Sequence, residues 1–130
     1  MAVEKLSLDF GEFELSEELF IARINPAHNL TADDMALMVE VASERYSAPF
    51  GYISDRVNRY SVDPIAMSKI FDALPLLTSF AVVVGHQMGR EMAKYEQGFA
   101  GHDRFEVFWS LGKATDWVLE RNAALRAKLA

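Results

Sequence analysis

Five side chains able to recognise charge crowd one short segment, 52-YISDRVNRYSVDP-64: Arg56, Asn58, Arg59, Tyr60 and Ser61. Guanidinium groups pair with carboxylates and phosphates through forked N–H donors. The amide, phenol and hydroxyl beside them add further donors and acceptors. The chemistry on offer is recognition of an anion, either a small ion or an acidic group on a partner protein. His86, placed directly after the apolar run 80-FAVVV-84, is the further candidate for binding. The same residues also have plain structural uses. Asp63 can cap a helix, Asp55 can pair with Arg56 or Arg59, and Asn58 and Tyr60 can fix a long turn.

Catalytic readings fare less well. Ser54, Asp55 and His86 supply the residue types of a nucleophilic triad, but neighbours on a strand point to opposite faces. No Gly-x-Ser-x-Gly elbow is present, and Gly85, Gly89 and Gly98 complete neither glycine pattern that cradles phosphates. His28 and His102 have no histidine or carboxylate at metal-ligand spacing. The chain has no cysteine, which excludes disulfides, thiolate ligands and cysteine nucleophiles. The expectation is a protein that is not an enzyme and holds no metal or cofactor.

The elements that must position these residues can be read from periodicity. Leu6, Leu8 and Phe10, then Phe13 and Leu15, alternate with polar residues around Gly11, which predicts a hairpin with one wet face. A strand over 19–24 follows and ends at Pro26. Thr31 and Asp34 form a capping-box pattern for a helix whose inward stripe is Met35, Met38, Val39, Ala42 and Tyr46. A strand over 50–54 leads into the polar segment. Asp63-Pro64 then opens a second helix with Met67, Ile70, Phe71 and Leu74 inward. The continuously apolar strand 80–84 suits a central position covered on both faces. A helix over 87–99 follows, with Met88, Met92, Tyr95 and Phe99 expected inward, then a strand over 105–109 and a last helix over 113–128. The order predicts a mixed α/β fold: a mostly parallel sheet, an antiparallel N-terminal hairpin and about four helices, in one domain over 1–130.

This order, the short acidic hairpin, the 52–64 segment and the closing run 108-FWSLGKATDWVLE-120 resemble the STAS/SpoIIAA-like superfamily. The resemblance is to its stand-alone bacterial STAS/SEC14-like branch. There a strand ends in Arg-x-Asn-x-Tyr-Ser-x-(Asp/Asn)-Pro, matched here by Arg56 to Pro64. The resemblance implies a SpoIIAA-like fold over nearly the whole chain. Related anti-sigma-factor antagonists are phosphorylated on a serine after a central strand, which makes Ser61 and Ser54 the counterparts for phosphorylation here. The run 54-SDRVNRYSVD-63 lacks the Asp-Ser-(Ser/Thr)-Gly pattern that usually carries that serine.

Composition bounds the partners. A formal net charge of -6 argues against nucleic acid and anionic lipid, both of which require a basic face. The opening MAVEKLSLDFGEFE lacks the apolar segment of a signal peptide, and the longest apolar candidate is strand-sized, so a cytoplasmic location without membrane insertion is expected. In a parallel sheet the strand carboxyl ends gather ligands. The first expectation is therefore a regulatory or interaction module engaging an unidentified protein partner or a small anionic ligand there. A second is a carrier of apolar ligands or lipids, of the SEC14-like type, with a cavity beside Met88, Met92 and Trp109. A homodimer is compatible with amphipathic helices, although no motif specifies one.

Overall fold

Period-two patterning does what it predicts at the start of the chain. In the computed structural model, which describes residues 3–58, 60–101 and 103–130, β1 (Glu4–Leu8) and β2 (Gly11–Leu15) form an antiparallel hairpin. Its buried face carries Phe13 and Leu15. β3 (Leu19–Ile24) pairs antiparallel with β2, and from there the sheet turns parallel. β5 (Phe50–Asp55) lies beside β3, β7 (Leu77–Val83) beside β5, and β8 (Phe105–Phe108) closes the far edge. The strand order is β1-β2-β3-β5-β7-β8. Two short strands missed by periodicity, β4 (Asn29–Leu30) and β6 (Ser61–Val62), pair parallel in a separate ladder. Two residues per strand are too few to leave an alternation in the sequence.

The central strands are apolar throughout because both faces are covered. Phe50, Tyr52, Phe80 and Val82 face the larger core, with α1 (Ala32–Arg45), α2 (Pro64–Met67) and α3 (Ile70–Ala73) contributing Met35, Met38, Ala42, Met67, Ile70 and Phe71. Ile53, Ala81 and Val83 face Ala114 and Val118 of α5 (Leu111–Leu129) on the other side. Across the first face runs a ladder of stacked rings. Phe20, Tyr52, Phe80 and Phe105 sit on four adjacent strands with centroids 5.3, 4.4 and 5.1 Å apart. Such pairs add about 0.5–1.5 kcal/mol each beyond the area they bury. On the α5 side the fully buried Asn122 is satisfied: its Nδ2 donates to the Glu18 carbonyl at 3.0 Å and its Oδ1 accepts from Thr78 Oγ1 at 2.6 Å.

The helix starts agree with their caps. Thr31 and Asp34 form the reciprocal box, and Asp63 Oδ1 accepts from the amides of Ile65 and Ala66. The expected single helix, capped by Asp63 and running from Pro64 to Leu74, is instead α2 and α3, so the helices number five among the described residues. Ser68 Oγ donates back to the Ile65 carbonyl at 2.7 Å, a local bond that competes with helix continuation. None of the helices is long and apolar enough to cross a membrane.

Candidate functional site

Four parallel strands, β3, β5, β7 and β8, end on the same side of the sheet, so the segments after them become neighbours. Backbone bonds fix the alignment: the Arg56 amide donates to the Val83 carbonyl at 3.0 Å, and the Val84 amide to the Phe108 carbonyl at 2.9 Å. The loop after β3 joins the same border. The Ser61 amide donates to the His28 carbonyl and the Asp63 amide to the Leu30 carbonyl, each at 3.0 Å. His28 itself follows a tight turn in which Ala27 has φ 58°, a left-handed conformation that costs a non-glycine residue roughly 1–2 kcal/mol. Arg56, Asn58, Tyr60 and His86 therefore meet along one rim, lining a common groove with Val84, Gly85, Gly89 and Met92. Arg59 and His102 lie outside the described residues.

What these side chains do there differs from the expectation in one large respect. Arg56 is no open cation on the rim. Its side chain is 7% exposed and holds Glu96 of α4 (Gln87–Ala100) in a two-pronged pair, with Nη1 2.7 Å from Oε2 and Nη2 bonded to Oε1. Nε donates to Ser54 Oγ at 3.2 Å, and the guanidinium lies 4.9 Å from the Tyr60 ring centre. Burial opposes the charged form, but Tyr60 and the hydrogen-bonded Glu96 outweigh it and hold the Arg56 pKa above its usual value. Burial likewise raises the neighbouring Tyr52 hydroxyl well above its ordinary range. The result is a charge balanced inside the fold. Asp55, expected to pair with Arg56 or Arg59, accepts from Arg23 Nε at 2.9 Å and not from Arg56, and Arg23 also holds Glu14.

The other candidates divide between interior and surface. Ser54 is fully buried and its hydroxyl bonds the Tyr60 hydroxyl, so a kinase could reach it only after the strand opened. Ser61 is exposed on β6, with its hydroxyl donating to Asn29 Oδ1 at 2.9 Å. Asn58 Nδ2 donates to the Ile24 carbonyl and ties the segment to β3. His86 is the N-cap of α4: Nδ1 accepts from the Gly89 amide at 3.0 Å, which leaves the ring proton on Nε2, free to donate outward. Its exposed ring forms part of a shallow groove of about 300 Å³ bounded by Val57, Asn58, Gly85 and Trp109. Val57 and Trp109 are 66% and 57% exposed on its walls.

The second correction concerns α4. Met88, Met92, Tyr95 and Phe99, expected in the core, are 57%, 43%, 67% and 40% exposed, while Ala93, Glu96 and Gln97 face inward. Periodicity identifies an apolar stripe without saying what covers it. The inward face is polar because it has polar work to do: Glu96 meets Arg56, and Gln97 Nε2 donates to the Phe105 carbonyl at 2.5 Å. Glu96 was the residue missing from the sequence reading. The signal for it was Arg56 itself, which needs a buried acid once its strand is central. Among the described residues Met88, Met92 and Trp109 lie at the surface, and Met88 and Met92 edge a shallow groove with Ala27 and His28 instead of an internal cavity. The interior space is elsewhere, under α1 and α2 between Met38, Tyr52, Tyr60 and Met67, and its volume is about 20 Å³. That is room for about one water and not for an acyl chain.

Among the described residues no group of three or more His, Asp or Glu side chains is placed to hold a metal ion. Neither a protein-family model nor a curated protein matches the chain. The crystal structure of an uncharacterized DUF3478-family protein with a SpoIIAA-like fold, from Shewanella loihica PV-4, is similar to it. The two agree with a TM-score of 0.52 over 90% of this chain and 92% of that one, at 14% sequence identity. The chain has a SpoIIAA-like fold, as the element order and the 52–64 segment implied.

Proposed function

From this SpoIIAA-like fold, we propose that the chain is a non-enzymatic regulatory or interaction module whose protein partner docks on the rim at the ends of β5, β7 and β8. The observation that supports it is the pair of exposed apolar side chains, Val57 and Trp109, standing over the groove that contains His86. A tryptophan held open at a strand end is the kind of anchor on which binding energy concentrates. The outward Nε2–H of His86 and the start of α4 add donors for an acidic group on that partner. Arg56 contributes by shaping the floor of the groove, not by offering charge.

Catalysis has little to work with. Ser54 is locked to Tyr60, His86 is spent as a cap, and His28 Nε2 is bonded to Asp34 at 2.7 Å. Binding of a small anion is a narrower form of the same proposal, with Asn58, Tyr60, Ser61 and His86 around it. An apolar carrier would first have to open the small interior cavity.

Affinity capture from extracts of the source cells, with the wild-type chain beside a Val57→Ser/Trp109→Ala variant, tests the reading. A partner retained by the wild type and lost at least about tenfold by the variant is expected, because a tryptophan anchor is worth more than about 1.4 kcal/mol. Equal recovery by both proteins removes the rim from the proposal. Titration with inorganic phosphate, followed by amide shifts at Gly85, His86 and Gly89, decides the small-anion form. Saturating shifts there support it, and unmoved amides exclude it.

A further inference from the structure

The outward stripe of α4 adjoins the rim, where Met92 meets the His86 groove, but shares no residue with the Val57–Trp109 groove and has a pattern of its own. Met88, Met92, Tyr95 and Phe99 are spaced four, three and four positions apart, the spacing of a coiled-coil seam. All four are between 40% and 67% exposed, so each keeps apolar surface that a second body could cover. We infer that its occupant is a second copy of this chain, docked so that the two α4 helices run antiparallel about a two-fold axis.

The chemistry of the seam is self-complementary in that arrangement alone. An antiparallel register places Met88 against Phe99 of the second copy and Met92 against its Tyr95, and the same two layers repeat on the other side of the axis. Every layer is then a thioether against an aromatic ring, a favourable contact. The flanks agree. On one side Glu91 faces Gly98 of the second copy, and on the other Gly89 lies opposite position 96, where the Glu96 side chain is turned inward onto Arg56. A parallel pairing would stack like on like, methionine on methionine and ring on ring, and lose the thioether–aromatic layers.

Area sets the strength. Four large side chains exposed to this degree offer on the order of 500 Å² per copy, so the pair buries about 1,000 Å², the low end for a specific interface. An interface of this size belongs with weak, transient ones, and the dimer is expected to dissociate in the micromolar range or above. Each copy carries -6, so long-range repulsion opposes the pair and added salt tightens it.

Sedimentation velocity on the whole chain from about 1 to about 500 μM is the primary test. A monomer–dimer equilibrium that strengthens with salt supports the proposal. A monomer throughout the range, or a dimer that salt dissociates, overturns it. Tyr95→Glu, at a surface helical position where folding can be verified by circular dichroism, raises the dissociation constant at least about 100-fold. An unchanged constant in that folded variant places the contact elsewhere and overturns the assignment. Because the chain has no cysteine, register can be read by oxidation. A mixture of Met92→Cys and Tyr95→Cys chains cross-links between the two variants faster than either does with itself. Faster self-cross-linking of Met92→Cys overturns the antiparallel register. The Val57→Ser/Trp109→Ala variant keeps wild-type dimerisation, which separates this seam from the proposed rim.

Discussion

Replacing Arg56 with alanine lowers the unfolding free energy by about 3–5 kcal/mol, the cost of breaking a buried ion pair from one side. The loss is large because Glu96 remains inside, 5% exposed, with its charge unanswered. Removing the guanidinium also leaves Ser54 Oγ without its Nε donor and the Tyr60 ring without a cation above it. A domain of this size holds only about 5–15 kcal/mol in total, so the variant sits close to its unfolding threshold. Urea denaturation followed by tryptophan fluorescence measures the change. The companion variant Arg56→Met/Glu96→Leu recovers most of the loss, since an apolar pair of similar volume needs no compensating charge. A loss below about 1 kcal/mol for Arg56→Ala would mean that the pair behaves like a solvent-exposed one. Arg56 would then return as a candidate rim cation.

Gly51→Ala is the second large effect. β5 and α5 approach so closely here that a β-carbon at position 51 would lie 2.1 Å from Val118 Cγ1 and 3.1 Å from Ser79 Oγ. Val118 is fully buried and branched at its β-carbon, so it cannot swing clear, and either the helix or the strand must shift. Overpacking of this kind costs about 1–3 kcal/mol, and a contact this short puts the expected loss near the top of that range. Val118→Ala in the same chain removes the obstructing methyl groups, so the double variant loses less than the sum of the two single losses. The difference is a coupling of about 1 kcal/mol or more in thermal or urea unfolding. Strict additivity would show that α5 does not rest on Gly51.

Much of this fold was legible because its signals are local. Thr31 and Asp34 sit three apart and form their box, and the alternation of Leu6, Leu8, Phe13 and Leu15 sets the hairpin. The unbroken apolar run at 80–84 lies within and just beyond a strand buried on both faces. The convergence of Arg56, Asn58, Tyr60 and His86 followed from parallel strands sharing their carboxyl ends. What did not follow is where each side chain turns once it arrives. Arg56 stands at the expected position but points inward, because its partner Glu96 is 40 residues further along on a helix. The same long-range pair decides the rotation of α4. Two faces competed there, a larger apolar one at Met88, Met92, Tyr95 and Phe99 and a polar one at Glu96 and Gln97, and pattern alone favours burying the larger. Burial of Arg56 reverses that preference, since an unanswered guanidinium in the core costs more than four exposed apolar side chains.

That rotation of α4 is the claim from which the groove, the seam and the Arg56 latch all follow, and single-cysteine chemistry reads it directly. Tyr95→Cys and Ala93→Cys lie two positions apart on the helix, the first at a residue 67% exposed and the second at one fully buried. With a thiol reagent at sub-micromolar protein, Cys at position 95 reacts about as fast as an unfolded control. Cys at position 93 reacts on the order of 100-fold slower, because it must await local opening. The reverse order, with position 93 open and position 95 protected, would turn the apolar stripe back into the core and contradict the account.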